Sequence, residues 1–163
     1  MTTATMETTS DTSNSTNLDQ AGKLISDSMK WSVAASVIPV PNLDLVAIAA
    51  VQANMVGEIA KLYGSSLPKQ AVKATVSVLL GTLAPVGATS VVVSSTVKYF
   101  PGYGSIIGGV SLAGFAAAST YAIGKVFVGH FENGGTLADF NVNTITGKLK
   151  EEFSKAPTKA AAA

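Results

Sequence analysis

Between Lys73 and Lys125 this sequence carries a single charged residue, Lys98. A helix facing water places charges on its outer side, so a stretch this poor in charge must be covered by lipid or by protein. Lys98 divides it: Ala74–Val97 is long enough as a helix to cross the ~30 Å hydrocarbon core of a bilayer, and a second uncharged stretch runs from the joint to Gly124. The joint, Lys98-Tyr99-Phe100-Pro101-Gly102-Tyr103-Gly104, combines a cation, aromatic rings and strong turn formers, a composition suited to the lipid headgroup zone. Residues 68–131 therefore read as an apolar helical hairpin, a candidate for membrane embedding, that turns at Pro101 and Gly102. Lys98, Tyr99, Phe100 and Tyr103, together with Trp31, are the expected membrane-interface residues. Pro85 and Gly87 are expected to kink the first arm.

The second arm is rich in small residues. Gly104-x-x-x-Gly108 and Gly114 with Ala118 would allow helix backbones to approach closely, within the chain or between copies of it, so a homo-oligomer is expected.

Composition restricts the function classes. Charged residues are 13% of the chain, about half the usual share, and hydrophobic residues are 47%. Every basic residue is Lys; with no Arg for bidentate contacts and a net charge of +1, nucleic-acid binding is not expected. The absence of Cys removes disulfides, thiolate metal sites and cysteine nucleophiles together.

Met1 to Thr16 is dominated by Thr and Ser and reads as a disordered tail. It lacks both the apolar core of a secretory signal and the Arg-rich character of a transit peptide, which leads to the expectation of a cytoplasmic origin. Asn17 and Gln20 form a capping-box pattern that opens a first helix, amphipathic through Leu24, Ile25, Met29 and Val33, then almost wholly apolar from Trp31 to Ile38. Pro39 and Pro41 end it. Asp44, or Asn42, can cap a second helix whose apolar stripe is Leu45, Ile48, Gln52, Met55, Ile59 and Leu62, with Asn54, Glu58 and Lys61 opposite and Gly64 as a left-handed stop. After Glu132-Asn133-Gly134-Gly135, the spacing of Val142, Ile145, Leu149 and Phe153 predicts a short amphipathic helix that must dock to be stable. The expected organisation is thus all-α: one domain over 17–155, built of a hairpin (17–64), the apolar hairpin (68–131) and a C-terminal helix (140–155), with a second disordered tail at 156–163.

Few residues suggest chemistry. His130 is the sole imidazole and has no Ser, Cys or second His arranged with it, so it reads as structural. Gly102-x-Gly104 with Gly108 and Gly109 resembles a phosphate loop only in part, because the Lys-Ser/Thr that such a loop requires is missing. Asp44 and Glu58 would matter for an ion path if they lay inside a membrane; as a helix-start residue and a partner for Lys61 they have simpler roles. No catalytic residue, metal ligand or cofactor site is expected. Lys69, Lys73 and Lys125 flank the apolar hairpin while Lys98 stands alone at its tip, a bias that places both termini in the cytoplasm.

One run of residues also carries a family likeness. Trp31-Ser-Val-Ala-Ala-Ser-Val-Ile-Pro-Val-Pro-Asn-Leu-Asp44, Gln52-x-x-Met55, Ile59-Ala-Lys-Leu-Tyr-Gly64 and the later Phe-Pro-Gly-Tyr-Gly-Ser turn together resemble the bacterial domain of unknown function 697, the YcjF-like membrane-associated family, over roughly residues 20–131. The resemblance implies a helical, membrane-associated bacterial domain, sometimes accompanied by GTPase domains, and no established activity. Because this chain has no phosphate loop, any nucleotide-dependent role would need a separate GTPase partner.

The leading expectation is a noncatalytic module that anchors or scaffolds partners at a bacterial membrane. An oligomeric pore lined by polar side chains such as Gln52, Asp44 and Glu58, and a soluble assembly whose Ala-rich faces are buried by partner chains, are the two alternatives.

Overall fold

The computed structural model describes the backbone of residues 4–36, 43–93 and 104–157, and side chains within 13–36, 46–86 and 112–157. Among the described residues there are five α-helices and no strand: α1 (Ala4–Ala35), α2 (Leu43–Leu62), α3 (Lys69–Val93), α4 (Gly104–Glu132) and α5 (Val142–Lys155). The all-α expectation therefore holds.

Glycine and asparagine set the helix ends. At the end of α2, Gly64 adopts φ 75°, donating its N–H to Lys61 O while Ser65 N–H reaches back to Ala60 O. The same pair of bonds closes α4, where Gly134 at φ 75° donates to Phe131 O and Gly135 to His130 O. Both are left-handed glycine stops that satisfy the last free carbonyls of a helix. Asn141 caps α5, its side-chain oxygen accepting from Asn143 N–H at 3.0 Å.

The helices alternate in direction around α4. Ile25 and Ser32 of α1 meet Gly124 and Thr120 of α4, so those two run antiparallel; Gln52 meets Ser119 while Tyr63 stacks on Phe131, so α2 runs parallel to α4. Phe140, just before α5, stacks on Phe127 at 4.5 Å and Phe153 meets Phe115 at 5.8 Å, which makes α5 antiparallel to α4. α4 is apolar on nearly every side because it is the central helix: Ala116, Ala122, Ile123, Val126, Phe127 and Phe131 are all buried. It packs most extensively on α1, and then on α5 and α2. The others contribute single stripes, Ala21/Ile25/Met29 from α1, Ile48/Met55/Val56/Ile59 from α2, Val72/Val76/Leu79/Leu83 from α3 and Leu149 from α5.

Several expectations change. α1 begins at Ala4, so the segment assigned to a tail through Thr16 is helical over most of its length and Asn17 lies mid-helix. The reason is propagation: no Gly or Pro interrupts residues 4–21, and adding turns to a docked helix avoids the cost of nucleation. The end of α1 is not enclosed, for Trp31 is 69% exposed and Ala34 is exposed, while Ser32 and Ser36 face inward. Ala156, placed in the second tail, is buried and caps α5.

The stretch expected to be a candidate for membrane embedding is narrowed. Among the described residues, Leu112–Glu132 is the one stretch long and apolar enough to cross a membrane, and 67% of its most apolar window is buried inside the fold. Lipid cannot reach what α1, α2 and α5 already enclose.

Candidate functional site

Two features stand out from the packed core, a buried polar node and an uncharged outer face. The node joins three helices. Gln52 of α2, wholly buried, donates through Nε2 to Ser119 Oγ at 2.9 Å and to Thr120 Oγ1 at 3.1 Å on α4. Thr120 in turn lies 2.8 Å from Ser32 Oγ of α1, and the hydroxyls of Ser119 and Thr120 also reach Ala116 O within their own helix. Gln52 Oε1 is left without a partner. Buried polar groups in an apolar core cost free energy unless they satisfy one another, so such a node fixes which turn of one helix meets which turn of the next.

The second feature is the outside of α3. Its buried stripe leaves Lys73, Ala74, Ser77, Val78, Gly81 and Ala84 exposed, and Pro85 with them. Beyond Lys73 that exposed face has no charge, and Val78 is 52% exposed. Gly81 has open space where a side chain would stand.

Of the expected site residues, Trp31 lies at the surface of α1, beside the exposed Lys30–Asp27 pair (3.0 Å). Ala118 is buried, but among the described residues nothing stands within 4 Å of the missing Cβ of Gly114. The close approach is at Gly124, where a Cβ would stand 2.5 Å from Ile25 Cγ1 and 3.3 Å from Met55 Cε. Pro39, Pro41, Lys98, Tyr99, Phe100, Pro101, Gly102 and Tyr103 lie outside the described residues, as do the side chain of Asp44 and the surroundings of Gly104 and Gly108.

Gln52, Ser119, Thr120, Ser32 and Gly124 were not singled out together by sequence. A signal existed: Gln52 interrupts an otherwise apolar stripe and Ser119-Thr120 interrupts an otherwise apolar helix, and polar residues stranded on facing stripes tend to be each other's partners.

The α4–α5 loop holds the other polar cluster. His130 Nε2 donates to Thr136 O at 2.7 Å and stands 4.0 Å from Asp139 Oδ1. Thr136 donates to Asp139 through both its hydroxyl and its N–H, and these bonds hold the Asp139 carboxyl below its usual range. Burial, and then the Glu132 carboxylate, push the Tyr63 hydroxyl up. On α5, the Lys155 ammonium lowers Glu151. Among the described residues no group of three or more His, Asp or Glu side chains is arranged to hold a metal ion. Glu58 sits on the surface, paired with Lys61 at 2.7 Å.

A central apolar helix wrapped by four others, with a polar node between three of them, defines an all-helical bundle domain. The chain belongs to the family described as Domain of unknown function (DUF697), which it matches over residues 2–157. It is also 36% identical over 141 residues to Magnetosome membrane protein 22 of Magnetospirillum gryphiswaldense, covering 86% of this chain and 72% of that protein. No solved structure matches the chain.

Proposed function

We propose that this protein is a noncatalytic, membrane-associated helical module that anchors or scaffolds partners at a bacterial membrane, with both termini on the cytoplasmic side. The observation that carries the reading is the uncharged outer face of α3 beyond Lys73. An exposed helix face in water is normally studded with Lys and Glu, and this one offers only small and apolar groups.

The same character continues in sequence. Residues 87–111 contain one charge, Lys98, whereas Lys69 and Lys73 precede that stretch and Lys125 follows it. That asymmetry supports an end directed toward lipid and an end directed toward the cytoplasm. The similarity to a protein named as a magnetosome membrane protein, and membership of the family, point the same way. A homo-oligomer is part of the proposal, because Ser77, Gly81 and Ala84 would let a second helix approach α3 closely. Any nucleotide-dependent step would belong to a separate GTPase.

The pore reading loses its polar candidates in part: Gln52 is spent on contacts inside the bundle, and Glu58 faces outward with Lys61.

Fractionation of host cells, followed by alkaline washing of the membranes and detergent extraction, tests the proposal. Retention through the wash and release by detergent is the expected result. Release by the wash, or recovery in the soluble fraction as a stable oligomer, would replace it with a self-covered helical assembly.

A further inference from the structure

A groove of about 460 Å³ runs along the crossing of α1 and α4 and is closed at one side by Pro157, just beyond α5. Its floor is apolar, made by Ile25, Met29, Val33 and Ala117. Tyr121 and Lys125 of α4 and Gly22, Ser26 and Lys30 of α1 form the walls, and among the described residues that line it none is acidic, although Lys30 is paired with Asp27 just outside.

The two ends differ. Because Gly124 lies against Ile25 and Thr120 against Ser32, Lys125 stands level with Gly22 and Ser26, while Ala117 stands level with Val33. The groove thus has Lys125, Ser26 and Gly22 at one end and Val33 and Ala117 at the other, with Lys30 on the wall between them, over roughly 16 Å of α1. Lys30 is engaged by Asp27, but Lys125 is exposed and has no ion pair among the described residues. Gly22 has nothing within 4 Å of its missing Cβ, which keeps the cationic end open. The apolar end points along α4 toward Gly104, the direction in which the sequence loses its charges.

We infer that this groove holds one acyl chain of an anionic phospholipid, its phosphate at Lys125 and Ser26 and its chain over Met29, Val33 and Ala117. Charge complementarity selects the headgroup: the Lys30–Asp27 pair cancels, and the unpaired Lys125 ammonium, with no carboxylate among the described lining residues, favours a lipid bearing net negative charge over a zwitterionic one. The unpaired ammonium sets the orientation, since Lys30 is already neutralised by Asp27 and a lipid with its phosphate at Lys125 has its tail directed along α4 toward Gly104, as it would lie in the cytoplasmic leaflet. The inference rests on the proposed membrane association and adds a specific lipid partner to it.

The test uses the full chain purified in detergent, with dioleoyl-phosphatidylglycerol or dioleoyl-phosphatidylcholine added, and bound lipid counted by native mass spectrometry. The wild-type chain should retain one phosphatidylglycerol, at least tenfold more strongly than phosphatidylcholine. Gly22→Leu should fill the cationic end and lower retention tenfold or more, and it should fold, because the space is open and Leu favours a helix over Gly. Lys125→Ala should bring the two lipids to equal retention. Wild-type retention of neither lipid, or retention unchanged in Gly22→Leu, would overturn the inference, and an unchanged preference in Lys125→Ala would overturn the headgroup assignment. Retention that appears only after deletion of residues 158–163 would assign the groove to that segment, and lipid-free pairs of chains would assign it to a second copy. Flotation of the same proteins with phosphatidylglycerol vesicles separates the two readings: a wild type that floats while holding no groove lipid removes this inference alone, and one that does not float removes the membrane reading.

Discussion

Gly124 of α4 and Ile25 of α1 are so close that a Cβ on the glycine would lie 2.5 Å from Ile25 Cγ1 and 2.9 Å from its Cδ1. This approach brings the polar node within reach one turn away, where Thr120 meets Ser32.

Gly124→Ala tests that closeness. Ala favours a helix over Gly by about 1 kcal/mol, whereas overpacking a core costs about 1–3 kcal/mol. We expect a net loss of about 1 kcal/mol in urea or thermal unfolding. Ile25→Ala alone should cost about 2–5 kcal/mol by leaving a cavity, but the double variant should be more stable than the sum of the two by about 1 kcal/mol or more. Additivity within about 0.5 kcal/mol would show that the two side chains do not compete for the same space.

The node at Gln52 makes a second prediction. Ser119 and Thr120 keep their bonds to Ala116 O when Gln52 is replaced, and the unpartnered Oε1 disappears with it. Gln52→Met should therefore stay within about 1 kcal/mol of wild type, since removing a polar group whose partners are otherwise bonded is nearly neutral. Gln52→Glu should behave differently. A carboxyl at this buried position has its pKa raised, so the variant is tolerated while neutral and loses stability as pH rises and the charge must form. Unfolding measured from pH 4 to 8 should show a growing gap between Gln52→Glu and wild type; a constant gap would mean that water reaches the node.

The loop after α4 should respond to acid in the opposite sense. Thr136's bonds to Asp139 hold that carboxyl below its ordinary range. Its contribution is present above the ordinary carboxylate pKa and is lost as pH falls through the depressed one. The Thr136 amide resonance should shift, and its hydrogen exchange quicken, only at the acid end of a titration, and Asp139→Asn should abolish the transition. A Thr136 amide that shows no acid transition would mean that Asp139 does not hold the loop.

Sequence periodicity carried much of this fold because the stripes of α2 and α5 are local: Ile48, Gln52, Met55 and Ile59 point inward at the spacing that predicts it, and Gly64 stops α2 where a left-handed residue is needed. The start of α1 was less legible, since Thr and Ser weakly disfavour helix and say nothing of a helix already nucleated downstream. Run length alone also leaves a membrane-embedded arm and the central helix of a bundle indistinguishable, and the second arm of the 68–131 hairpin includes Leu112–Glu132, most of whose apolar window is buried inside the fold. The node was hidden for a different reason: Gln52 and Ser119 are 67 residues apart, and only the antiparallel and parallel packing of three helices brings such positions together.

Trp31 provides the last prediction, since it is the only tryptophan and its emission reports a single place. At 69% exposure the indole contributes little to the core, so Trp31→Ala should change stability by no more than about 0.5 kcal/mol. An exposed indole flanked by Lys30 is the side chain that a headgroup layer accommodates, with an apolar body and one N–H donor. If the outer face of α1 rests on the bilayer, phosphatidylglycerol vesicles should shift Trp31 emission to the blue, and brominated acyl chains should quench it. Emission that stays unchanged while the protein floats with the vesicles would confine membrane contact to the α3–α4 hairpin and leave the outer face of α1, with its Asp27–Lys30 pair, facing water.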